Sequence, residues 1–460
     1  MGTGYNFKQD IKTRQLVMMA FGGSIGVGFF IGTGETISGA GPVGAIIAYL
    51  LGAFILYAVI LSLGEIGCYL PTSGSFGDYA HRFIGPFSGY YVYISYWVNC
   101  VLGNAIQYIG IGFLMQKWFP DSPLYLWILL SCALVFIINS YQVKIFAEIE
   151  YYLSFIKIIA IILFLIFGIY KIIDSLYFYH FSFEGLENVF SNFYINGVFP
   201  NGLFALFSAV VFISYAFAGS EVIGVAIGET KEPKKALPIA ISAILWRMIV
   251  FFAGAVFIIS VFLPYNDARI TESPFVAVLE IWKIPYAPDL INAIIIIAIF
   301  SSSNTGIYGS ARMLWGLSEK GYMPKSWSKI NAKGVPMNSL ILSTIISLIG
   351  LISIWVEPQK VISALIVIAG LSMMFVWMSV SISQYNFRKW YLKEGHQLEN
   401  LPFRTPWTPY TQIFAVFGCA IPIIVSCIIG EYRDYVWYTF GLMAIIFVMF
   451  QITKRLNKTS

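Results

Sequence analysis

Two stretches of the chain place glycines and small polar residues inside apolar runs, where they can interrupt a helix. The first is Gly22-Gly23-Ser24-Ile25-Gly26-Val27-Gly28, followed by Gly32 and Gly34. Each glycine weakens a helix by roughly 1 kcal/mol relative to alanine, so the cluster is a candidate break. A break frees N–H groups at the start of the next half-helix, and their partial positive charge suits a carboxylate. Close helix packing through small residues is the other reading of the same glycines. A phosphate loop is excluded, because no Lys-Ser or Lys-Thr follows them. The second stretch is Ser214-Tyr215-Ala216-Phe217-Ala218-Gly219-Ser220-Glu221, a second candidate break.

Charges in apolar surroundings mark further positions. Glu221 lies inside a run of spanning length, where a charge costs about 2.5–3.5 kcal/mol at the bilayer centre. It is therefore functional, or neutralised by a partner or a proton. Glu229, eight residues on, reads as a solvated boundary charge or a participant in proton movement. Lys157 sits centrally in Ser154-Phe155-Ile156-Lys157-Ile158-Ile159, too deep to reach the interface easily. A buried amine can load and release a proton, or act as a fixed cation that holds carbonyls of a broken helix. Asn99, Asn104 and Gln107 are polar among apolar neighbours. So is the run Ser301-Ser302-Ser303-Asn304-Thr305-Gly306-Ile307-Tyr308. Such groups hydrogen-bond across helices or line a cavity.

Other chemistry is not supported. Cys68, Cys100, Cys132, Cys419 and Cys427 form no CxxC pair, and His81, His180 and His396 have no metal-ligand spacing. No metal, no cofactor and no nucleophile–base pair is expected, so an enzyme is the least supported class.

The elements that must position these residues follow from composition. Of 460 residues, 58% are hydrophobic and 11% are charged, against about 25% charged in a soluble domain. Lipid is the expected solvent for most of the outer face. Apolar runs predict about twelve transmembrane helices, at roughly 15–34, 41–68, 86–117, 123–140, 147–171, 200–228, 237–263, 287–316, 338–356, 361–385, 411–430 and 435–453. Strands fail on length, and a barrel would show alternating segments of about ten residues. The fold class is thus an all-α membrane protein forming a single polytopic domain over 1–460. The polar start, Met1 to Gln15, runs into a long apolar stretch and predicts a retained helix rather than a cleaved leader. The inner loop 386–410 is amphipathic and suits the membrane surface.

Charge sets the expected orientation. Lys117, Lys171, Arg269, Lys283, Lys360 and Arg433 are the six cations of one set of loops, while the other set holds nineteen, from Lys8 to Lys458. That bias places both termini in the cytoplasm. The net charge of +5 is explained by these loops, and no basic run interleaved with aromatics suggests a nucleic-acid face. The two candidate breaks fall five spans apart, the pattern of an inverted-repeat transporter. Helices 1–5 (about 15–171) and 6–10 (about 200–385) would be the repeats, and the last two (about 411–453) would be appended.

The sequence resembles the amino acid permeases of the amino acid–polyamine–organocation superfamily over nearly its whole length. The resemblance rests on Met18-Met19-Ala20-Phe21-Gly22-Gly23-Ser24-Ile25-Gly26-Val27-Gly28, Ser62-Leu63-Gly64-Glu65, Pro71-Thr72-Ser73-Gly74-Ser75-Phe76, the stretch Gly228-Glu229-Thr230-Lys231-Glu232-Pro233-Lys234-Lys235-Ala236-Leu237-Pro238, and Asn304-Thr305-Gly306-Ile307-Tyr308-Gly309-Ser310-Ala311-Arg312-Met313-Leu314. Trp246-Arg247, Pro264-Tyr265-Asn266-Asp267 and Ile382-Ser383-Gln384-Tyr385-Asn386-Phe387-Arg388 look most like lysine-specific permeases. The resemblance implies a LeuT-like 5+5 fold and proton-driven import of an L-amino acid across a plasma membrane, the inner membrane if the source is bacterial. It implies that Gly22, Gly23, Ser24, Ile25 and Gly26 hold the substrate carboxylate. Carbonyls around Phe217 and Gly219 would hold the amino group, with Ser220, Glu221, Asn104, Gln107 and Asn304 nearby. Lys157 matches a lysine that takes the place of a sodium ion in proton-coupled relatives, and Glu221 and Glu229 join it as candidates for proton coupling. Gln107 stands where many relatives carry an acid, which weakens a specific assignment to lysine. An exchanger, a permease for neutral amino acids and a transporter-like sensor are the rival readings.

Overall fold

In a computed structural model the described residues are 9–428 and 433–459, without the side chains of 456–459. Lys8, the side chain of Lys458 and the last two residues of the expected span 411–430 lie outside them. Among the described residues the chain is helical, apart from turns and one isolated bridge between Ile11 and Thr230.

The first helix is interrupted as the glycine cluster predicts. Thr13–Gly22 (α1a) ends, residues 23–26 leave helical order, and Val27–Phe30 restarts the helix. The next element, Gly32–Tyr69, contains Gly41 at φ 74, followed by Pro42. That left-handed glycine divides it into the end of α1b (27–40) and α2 (42–69), and a Cβ at Gly41 would lie 2.5 Å from Pro200. The first span thus runs six residues beyond the expected 34, because Gly32, Gly34 and Gly39 weaken the helix without ending it. There follow Pro86–Gln116 (α3), Leu124–Asn139 (α4) and Val143–Phe178 (α5). The sixth span is Ala205–Phe217 (α6a) and Val222–Ala226 (α6b), continued by a 3-10 turn to Glu229. Pro233–Arg247, a π segment Met248–Ala253 and Gly254–Phe262 make up α7. Ala287–Glu319 (α8), Met337–Ser347 with its 3-10 continuation to Ile354 (α9), Pro358–Lys393 (α10), Tyr410–Ile428 (α11) and Arg433–Thr459 (α12) complete the set.

Among the described residues ten helices are long and apolar enough to cross a membrane. Dividing the first of them at Gly41 and adding the 16-residue apolar α4 gives the twelve expected. With α1 and α6 interrupted, the all-helical arrangement is consistent with the LeuT-like architecture expected. The interrupted α6 is the most enclosed span and α12 the least. Phe29, Tyr49, Phe217 and Phe252 form an aromatic wedge beside both breaks, with Phe29–Phe252 centroids at 4.6 Å and Phe217–Phe252 at 4.8 Å. Edge-to-face rings of this kind are stiff and bury large areas.

Two expectations need correction. Short helices Ser75–Phe83, Phe183–Val189, Arg269–Glu272 and Pro274–Ile281 occupy connections read as plain loops. The segment 386–410 is not wholly a surface segment, because its first eight residues continue α10 to Lys393. Arg388 is drawn inward by a buried carboxylate. It donates to Glu65 Oε1 (2.9 Å) and Oε2 (2.5 Å), and the Thr405 N–H adds a third bond to Glu65 at 2.6 Å. Removing one partner of a buried ion pair costs about 3–5 kcal/mol. Glu65→Ala is accordingly expected to lower the thermal midpoint of the purified protein sharply, and Glu65→Met with Arg388→Met to recover most of the loss. Equal midpoints for Glu65→Ala and wild type would remove this pair from the fold's supports.

Candidate functional site

The two interruptions meet at backbone distance. Gly219, at φ 99, turns the chain between α6a and α6b, and a Cβ there would lie 2.6 Å from Gly23 O and 3.2 Å from Ser24 N. A Cβ on Gly23 would lie 2.8 Å from Gly219 O. Both readings of the glycine cluster are therefore realised at once: the helix breaks, and the glycines allow the close approach.

A short polar relay spans the gap in α1. The N–H of Val27, the first residue of α1b, donates to Gln107 Oε1 at 2.9 Å. Gln107 Nε2 donates to Ser302 Oγ (3.0 Å), which donates to the Gly23 carbonyl (3.1 Å). Gln107 thus accepts at one end and donates at the other. A carboxylate in its place could only accept, which explains physically why an amide serves this chain.

A central cavity opens between the breaks, α3 and α8. Gly23, Ser24, Gly219, Asn104 and Gln107, all anticipated from sequence, line it with Tyr96, Asn99, Cys100, Tyr215, Val222, Ser302 and Thr305. Ser24 Oγ and Thr305 Oγ1 are buried there without a hydrogen-bond partner among the described residues. Polar atoms left open on a cavity wall fit a polar guest. Asn104 is held by Ser303 Oγ at 2.5 Å and donates to Cys100 O at 2.8 Å.

The remaining anticipated residues stand around the cavity rather than on its wall. Gly22, Ile25 and Gly26 pack behind it, and Cβ atoms at Gly22 and Gly26 would meet Ser154 Oγ at 1.9 Å and Gln107 Nε2 at 2.7 Å. The Phe217 ring belongs to the aromatic wedge, while its carbonyl accepts from Ser220 Oγ at 2.8 Å. Glu221 Oε1 accepts the Gly219 N–H at 2.8 Å and so fixes the turn of α6. Asn304 faces α4, where Asn139 Nδ2 donates to its Oδ1 at 2.7 Å.

Lys157 joins α5 to both the first break and α8. Its ammonium donates to Gly22 O at 2.5 Å and to Ser301 Oγ at 2.8 Å, and Glu150 Oε1 lies 3.7 Å away. Both charged side chains are fully buried. Ser154 and Ser301 also donate to Glu150 Oε1, at 3.2 and 2.5 Å. Sequence reading overlooked Glu150, although the signal was present: Glu150, Ser154 and Lys157 are spaced i, i+4 and i+7, one face of a helix. Tyr96 and Cys100 were overlooked likewise, although 96, 99, 100, 103, 104 and 107 trace one face of α3.

Glu229 is not a solvated boundary charge. It is fully buried and held by Arg312, whose Nε and Nη2 donate at 2.8 and 3.2 Å, and by the Tyr308 hydroxyl at 2.8 Å. Its backbone carbonyl accepts the Ile11 N–H at 3.0 Å, which ties the N-terminal segment to the end of α6b. No group of three or more potential metal ligands occurs among the described residues.

Sequence comparison relates this chain to known proteins. A profile described as amino acid permease matches residues 15–457. The chain is 42% identical to a putative histidine permease of Bacillus subtilis, over 92% of this chain and 87% of that protein. It is 37% identical to the amino-acid permease RocE of the same organism, over 98% of this chain and 96% of that one. It is 34% identical to the lysine-specific permease LysP of Escherichia coli, over 90% and 85%.

Proposed function

The chain belongs to the amino acid permease family, and we propose that it imports an L-amino acid across the plasma membrane in symport with protons, with both termini in the cytoplasm. The observation that carries the proton reading is Lys157, an ammonium locked between the Gly22 carbonyl and Glu150. It occupies a place where a monovalent cation would hold the broken helix together. Loss of its proton would weaken its hold on the Gly22 carbonyl and loosen α1a, so that charge state and helix position move together. Glu221, which fixes the α6 turn, is the second proton-coupling group. Glu229 suits that role less, since protonating it would break a formed guanidinium pair.

The substrate proposed is a cationic amino acid, lysine among them, with its carboxylate on the open groups of the α1 break beside Ser24. Relatives named for histidine and lysine support this class, and Glu221 behind the cavity supplies the negative charge. The two repeats, about 15–171 and 200–385, would rock about this site.

The test is uptake into sodium-free proteoliposomes under an inward proton gradient, with a panel of labelled amino acids. Accumulation of one or a few cationic amino acids that collapses with a protonophore is expected. Uptake that ignores the protonophore but needs an internal amino acid would replace symport with exchange. Uptake restricted to neutral amino acids would overturn the substrate class.

A further inference from the structure

Arg247 is 1% exposed although Trp246 beside it is 70% exposed. It stands where α7 passes into the π segment Met248–Ala253, and π segments often occur at functional positions. Among the described residues its guanidinium makes one hydrogen bond, from Nη2 to Ser220 Oγ at 2.5 Å. Nε and Nη1 are buried without a hydrogen-bond partner among the described residues. Arginine keeps its charge in proteins, so it cannot relieve this deficit by losing a proton. Buried donors left unmade are unfavourable, and most of all on a charged group.

A matching deficit lies one residue from Ser220. Glu221 uses Oε1 for the Gly219 N–H, and its buried Oε2 has no hydrogen-bond partner of good geometry among the described residues, although the Tyr96 hydroxyl lies close enough to act on the carboxylate. Glu150 Oε2 is also open, but Lys157 already stands against Glu150. The guanidinium therefore holds the neighbour of the carboxylate it best complements. We propose that Arg247 is a positioning residue for the α6 interruption, holding Ser220 in this closed arrangement and taking the Glu221 carboxylate when residues 218–221 shift during transport. The proposal rests on the transport reading above. A planar fork can make two parallel bonds to a carboxylate, which an ammonium cannot. The exchange of Ser220 for Glu221 would let the carboxylate take the open Nε–H together with Nη2, the pairing Arg312 makes with Glu229 and Arg388 with Glu65, and would satisfy the open oxygen in the same movement.

The test uses the full chain in nanodiscs and proteoliposomes, as wild type, Glu221→Gln, Arg247→Gln, the double variant and Arg247→Lys. Thermal midpoints without ligand form a double-mutant cycle. The two opposite charges already attract each other across Ser220, so the double variant should lose less than the two single losses added, by a coupling worth about tenfold in the unfolding equilibrium. Arg247→Lys keeps the charge and should fold as wild type, yet exchange labelled L-lysine or L-histidine about tenfold more slowly with KM changed less than about threefold. Additive losses, or an Arg247→Lys variant with the wild-type exchange rate or a change in KM alone, would overturn the proposal. If wild type moves neither probe, the transport reading fails separately, and the stability cycle alone upholds or overturns the Arg247–Glu221 pair.

Discussion

Lys157→Ala is expected to reduce proton-driven uptake by a hundredfold or more. The ammonium is fully buried and has three partners among the described residues: Gly22 O at 2.5 Å, Ser301 Oγ at 2.8 Å and Glu150 Oε1 at 3.7 Å. Truncation leaves Glu150 charged and uncompensated and takes from the Gly22 carbonyl one of its two donors, the Ile25 N–H at 3.0 Å remaining. Breaking a buried pair in this way costs about 3–5 kcal/mol, and each 1.36 kcal/mol is a factor of ten. Stability and coupling can be separated by a second change. Lys157→Ala with Glu150→Gln removes the stranded charge, so the thermal midpoint should recover while proton-driven uptake stays lost. Initial rates in proteoliposomes with and without a pH gradient read the difference. If Lys157→Ala keeps gradient-driven uptake within about threefold of wild type, the ammonium has no part in coupling.

The sequence made the scaffold legible because lipid imposes a simple code. A spanning run must be long and apolar, and its backbone must bond internally. The twelve spans and the two interruptions follow from that code. The Gly22–Gly28 cluster could be read as a break or as a packing face, and its neighbourhood explains the ambiguity: Gly23 lies in the break and against Gly219. Partnerships between distant helices were not legible in the same way. Arg388 and Glu65 are 323 positions apart, and nothing local to either announces the other. Glu229 read as solvated because it closes an apolar run, whereas Arg312 and Tyr308 of α8 enclose it. Gln107 seemed a departure from the relatives until the relay from Val27 to Gly23 gave its amide both a donor and an acceptor role. What escaped is in each case a property of two helices together, while periodicity reports on one helix at a time.

The same distinction predicts a large effect from the addition of one methyl group. Gly219→Ala is expected to weaken substrate binding by tenfold or more while the protein remains folded. Two costs act together. At φ 99 a side chain sits in a backbone region that costs of order 1–3 kcal/mol. The new Cβ would also lie 2.6 Å from Gly23 O and 2.9 Å from Gly23 C. Those atoms are backbone and cannot rotate away, so the two interruptions must move apart, and the cavity between them changes shape. Gly202→Ala supplies the control. Gly202 is also left-handed, at φ 81, but nothing lies within 4 Å of its would-be Cβ. It carries the backbone strain without the collision, so its binding should stay within about threefold of wild type, since strain alone there is paid in stability. Equilibrium binding of labelled amino acid to both variants in nanodiscs separates the contributions. Equal binding by Gly219→Ala and Gly202→Ala would mean that contact between the two breaks does not shape the site. A deficit confined to Gly219→Ala would mean that the cavity depends on two backbones touching where neither helix is intact.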